Sequence, residues 1–121
     1  MNINLNNDTI NAIKKIANRL ETLRGLVTVN AYGDVDTMAI IRKERTEREV
    51  ATIVASIGIA NPVGNKDAMS DIIRLRDMIA EHRGIVASIA YSAIPADEWL
   101  VAKRQGLEMR IAMYANLYGI A

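Results

Sequence analysis

Residues 24–32 read Arg-Gly-Leu-Val-Thr-Val-Asn-Ala-Tyr, and residues 83–91 read Arg-Gly-Ile-Val-Ala-Ser-Ile-Ala-Tyr. Arg, Gly, Val, Ala and Tyr recur in register. Downstream, Gly58-Ile59-Ala60 recurs as Gly119-Ile120-Ala121, and Glu47 and Ala51 match Glu108 and Ala112, with two extra residues between the blocks. A unit of roughly fifty residues used twice constrains the fold more than any other feature, because it organises the architecture and doubles every candidate site.

The spacing of apolar residues says what that unit is. Ile13, Ile16, Leu20, Leu23, Val27 and Ala31 recur every three or four residues, which is one face of a helix. Asp8 is the expected N-cap and Gly33 the expected stop. Asp34 or Asp36 begins a second helix with Ala39, Val50, Ile53 and Ile57 on one face, ending at Gly58. Asn61-Pro62-Val63-Gly64-Asn65 is rich in turn formers and reads as a linker. Asn65 caps a third helix with the stripe Ile72, Leu75, Ile79, Val86 and Ile89. Pro95 suits the first position of a fourth helix, with Asp97 and Glu98 in its first turn and Leu100, Leu107, Ile111, Tyr114 and Tyr118 as its stripe. The expected fold is therefore all-α: an up-and-down four-helix bundle of two tandem, repeat-related antiparallel helical hairpins. One domain covers 1–121, with an arm at 1–7, hairpins at 8–60 and 66–121, and a linker at 61–65.

Composition fits such a core. Half of the residues are hydrophobic, but Phe is absent and Trp99 and four tyrosines are the only aromatics, so the core is aliphatic. Without cysteine there are no disulfides and no thiolate metal sites. Fifteen basic and fourteen acidic residues nearly cancel, which argues against a uniformly basic nucleic-acid coat. The amino terminus lacks the basic and apolar parts of a signal peptide, and no apolar run approaches the ~20 residues of a membrane span. The expectation is a cytoplasmic protein with no membrane partner.

Chemistry is harder to find. Arg42-Lys43-Glu44-Arg45-Thr46-Glu47-Arg48-Glu49 puts eight polar residues through the middle of the second helix, more than two full turns. The run is a solvated face or a polar layer across the bundle. In the first case Arg42, Arg45 and Arg48 form a partner-binding face. In the second, Arg24, Lys43, Arg83 and Arg104 converge on an anion, with Tyr32 and Tyr91 as stacking platforms. Glu47 and Glu108 would then orient those bases. His82, the only histidine, sits on the third stripe between Ile79 and Val86 and reads as a satisfied core or interface residue. Glu44-x-x-Glu47 invites comparison with the Mg²⁺-holding carboxylates of all-helical nucleotide pyrophosphatases, but the second acidic pair is missing. Neither a Glu-x-x-His pair, a phosphate-binding glycine loop nor a nucleophile motif occurs.

No metal, cofactor or catalytic residue is expected. The sequence reads as a non-enzymatic protein-interaction module, a small regulator, adaptor or inhibitor. It would be a homo-oligomer joined through Trp99, Tyr114 and Tyr118 of the fourth helix. The alternative is a binder or sponge for an anionic small ligand such as a cyclic nucleotide. Nucleic-acid binding ranks below both.

Overall fold

Asn6 starts the first helix: its Oδ1 accepts from Thr9 N at 2.8 Å, satisfying an amide that has no partner inside the first turn. In the computed structural model four helices follow: α1 (Asn7–Tyr32), α2 (Thr37–Ile57), α3 (Lys66–Tyr91) and α4 (Glu98–Leu117). The structure describes the backbone of residues 5–32, 37–91 and 97–120, and the side chains of all of these except 27–32. No strand occurs among the described residues. The cap of α1 is thus Asn6 rather than Asp8, which lies in the first turn. Asn65 caps α3, its Oδ1 accepting from Ala68 N at 3.1 Å. The side chain of Asp97 accepts from Trp99 N, so α4 begins at Glu98 and Asp97 is its cap. Gly33, Asp34, Asp36 and Pro95 lie outside the described residues.

Both hairpins end alike. Gly58 (φ 72°) and Gly119 (φ 69°) hold the left-handed conformation that L side chains resist. Ile59 N then donates to Val54 O, and Ile120 N to Ala115 O, closing the last turns of α2 and α4.

The order of packing is α2–α1–α3–α4; among the described residues α2 touches neither α3 nor α4, and α1 does not touch α4. Arg24, late in α1, donates to Ser70 Oγ at the start of α3, and Arg83, late in α3, donates to Asn7 Oδ1 at the start of α1. The helices α1 and α3 therefore run antiparallel. An up-and-down bundle would make them parallel and close a ring of neighbours, so that expectation is corrected. The reason lies in the connector. Pro62 is buried, and Ile59 and Val63 pack against the core, so residues 58–65 run along the body rather than turning out of it. A turn closed by Asn65 N donating to Pro62 O at 3.1 Å then starts α3.

The core sits where α1 and α3 meet. Ile13, Ile16 and Leu20 of α1 and Ile72 and Leu75 of α3 are almost wholly inaccessible, joined by Val50 from α2 and Ile111 from α4. Leu23 is buried as its spacing predicts, whereas Val86 is exposed and Ile85 takes the inner place. In α2 the stripe is completed by Thr46, whose hydroxyl donates to Arg42 O at 2.8 Å and so enters the core satisfied.

Candidate partner-binding face and buried polar cluster

The polar run of α2 divides by side. Thr46 turns inward, Lys43, Glu47 and Glu49 are half-buried, and Arg42, Glu44, Arg45 and Arg48 face solvent. Glu49 accepts from Arg19 Nε of α1 at 2.7 Å, which ties this stretch to its neighbour. Lys43 Nζ lies 3.8 Å from Glu47 one turn on. Spacing by three rotates each arginine ~60° from the last, so Arg42, Arg45 and Arg48 cover about a third of the circumference. None of them enters an ion pair among the described residues. Arg48 Nε instead donates to the backbone carbonyl of Glu44. Three uncompensated guanidinium groups on one exposed strip suit carboxylates or phosphates, which they grip with paired donors.

The four cations expected to converge do not. Arg24 is drawn to Ser70, and Arg83 stands nearly four turns further along α3, roughly 20 Å away. Lys43 and Arg104 belong to α2 and α4, which do not touch. The side chain of Tyr32 lies outside the described residues; that of Tyr91 is 90% exposed.

A buried polar cluster occupies the second hairpin instead. His82 and Glu108 are both almost inaccessible, and His82 Nε2 lies 3.0 Å from Glu108 Oε1. Arg104 Nε is 3.7 Å from the same oxygen. Glu108 Oε2 and Arg104 Nε find no hydrogen-bond partner among the described residues. The expectation of an internally satisfied histidine is met at the ring and not at the carboxylate. General acid–base chemistry needs a substrate within hydrogen-bond reach. Two surface concavities among the described residues, of about 510 and 270 Å³, are lined by neither His82 nor Glu108. Among the described residues no group of three or more acidic, histidine or cysteine side chains could hold a metal ion, and no helix is long and apolar enough to cross a membrane.

The tyrosines of α4 turn towards their own chain. Tyr114 accepts from Arg74 Nη1 at 3.0 Å and packs on the core. Tyr118 donates to Asp71, and burial followed by that bond pushes its phenol up to about 12. Both hydroxyls bond within the hairpin, and both side chains are half-buried. Trp99, also of the expected oligomer surface, is 64% exposed, with Lys103 Nζ 5.1 Å from its ring centre. Sequence reasoning missed Met109, Met113 and Leu117, all more than two-thirds exposed. Their spacing of four was the available signal, running opposite the core stripe of the same helix. The chain matches no protein-family model, no curated protein and no solved structure.

Proposed function

We propose that the protein is a non-enzymatic interaction module whose α2 arginine strip docks an acidic segment of a partner protein. The observation that carries this reading is the exposure of Arg42, Arg45 and Arg48 on one face, none of them in an ion pair among the described residues. Such a strip adds nothing to the core, and exposed charges contribute only ~0–1 kcal/mol each to stability. The matched caps, glycine stops and Arg–Gly blocks support reading the two hairpins as one unit used twice, with only the first keeping the strip: Met109 and Leu107 stand where Arg48 and Thr46 stand in α2.

The test uses a synthetic amphipathic peptide with Glu on one face and Leu on the other. Wild-type protein should bind it with an affinity that falls as salt rises. The triple reversal R42E/R45E/R48E should abolish binding while changing the urea midpoint little. Equal binding by the reversed variant would overturn the assignment.

A second reading, a small organic anion, has one observation in its favour. The 270 Å³ concavity between α1 and α3 has Ile10, Ile13 and Ile79 on its floor with Lys14 and Arg83 at its lining. Arg76, also there, is already held by Glu21 and Asp77, which leaves the arginine strip the better-supported site.

A further inference from the structure

The helix α4 is apolar on two sides. Leu107, Ile111 and Ala115 face the core. Opposite them, Trp99, Ala102, Gly106, Met109, Met113 and Leu117 fall within about 80° of arc. All six are exposed. With Trp99 at 64%, Met109 at 74%, Met113 at 68% and Leu117 at 69% exposure, the face presents on the order of 500 Å² of apolar surface, near the top of what a monomer normally shows. No described helix covers it, since α4 packs only on α3.

We infer that this face binds a second copy of the chain, α4 against α4 in antiparallel orientation, with Gly106 at the two-fold axis. Three observations select that occupant. The first is shape. Gly106 and Ala102 form a low stretch between Trp99 and Met113, and a two-fold at Gly106 lays each Trp99 on the other copy's Met113, a favourable sulfur–aromatic pairing. A Cβ at Gly106 would meet nothing within its own chain, so nothing inside the monomer calls for glycine there. The second is area. Two such faces, with the stems of Lys103 and Arg110 beside them, approach the ~1,200 Å² at which stable specific interfaces begin. The third is charge. Arg110 flanks the face and enters no ion pair among the described residues. The antiparallel register brings it opposite Lys103 of the second copy, whose Nζ is held 2.9 Å from Glu81. Glu81 then lies between two cations and serves both. A net charge of +1 sets up little long-range repulsion between copies.

The surface is separate from the α2 strip, and its test leaves that strip intact. Sedimentation equilibrium of the wild-type protein should give a dimer at micromolar concentration. M113E should shift it to monomer with its helical circular dichroism retained. Because the chain has no cysteine, single-cysteine variants report geometry directly. G106C should link into a covalent dimer with a short bismaleimide, and A112C, about 120° round the helix from it, should not. A wild-type monomer at high micromolar concentration would overturn the proposal. So would a dimer that survives M113E or links through A112C in preference to G106C.

Discussion

His82 and Glu108 are the residues whose placement costs most and explains itself least from one chain position alone. A buried polar pair is stabilising chiefly relative to losing one member, because taking both groups out of water is itself unfavourable and each then depends on the other for its hydrogen bond. Leu23 holds the matching place in α1, is 2% exposed, and shows that an aliphatic side chain fits such a position. The variant H82L should therefore lose about 3 kcal/mol, at the low end for a broken buried pair because Arg104 stays beside the carboxylate. The double variant H82L/E108L should recover about 1 kcal/mol or more of that loss, because no buried carboxylate remains, while Arg104 Nε then lies without an acceptor. Urea unfolding of both variants decides this. A single variant as stable as the double would mean that Glu108 is solvated on opening rather than held by His82.

At the scale of the element, glycines in the same chain have opposite meanings. Gly84 lies inside α3, is exposed, and a Cβ there would touch nothing, so G84A should stabilise by about 1 kcal/mol through helix propensity. Gly58 terminates α2 at positive φ, where a Cβ is strained whatever the space around it. G58A should cost about 1 kcal/mol, and G119A the same for the same reason. Denaturant midpoints of the three variants carry the check, and a common sign would contradict it. The outer helices bury less than the central pair. The inner face of α2 is thin because the charged run leaves only Thr46, Val50 and Val54 buried, and α4 buries four residues, against eight in α3.

That difference sets the behaviour of the whole molecule. The centre is the α1–α3 pair, and α2 and α4 each lean on a single helix. Opening an edge helix exposes little apolar area, while separating α1 from α3 exposes the core. Amide hydrogen exchange should therefore be slowest in residues 13–23 and 72–82 and faster through 40–48. Uniform protection across all four helices would mean that the chain opens only as one unit. If α4 joins two copies, each dimer carries two α2 strips, and a partner with two acidic segments gains by effective concentration without any new contact.

Most of the local structure was legible in the sequence. Three-and-four spacing named the helices, and Asn65 and Gly58 marked a start and a stop. These are properties of short segments, where the backbone and its nearest side chains decide the outcome. What spacing does not carry is the direction in which one helix meets another. Residues 61–65 read as a linker because Asn, Pro and Gly favour turns, and a turn does close there, Asn65 N donating to Pro62 O; yet burial of Pro62 and packing of Val63 against the core lay the segment along the body and reverse α3 relative to α1. That reversal sends Arg24 and Arg83 to opposite ends of the pair and dissolves the expected anion site. The same limit applied to α4, where tyrosines on a helix can turn in or out. Asp71 and Arg74 of α3 draw Tyr118 and Tyr114 inward and leave Met109, Met113 and Leu117 outside. Sequence fixes which faces each helix has; only packing, through which faces find partners, decides which are left for another molecule.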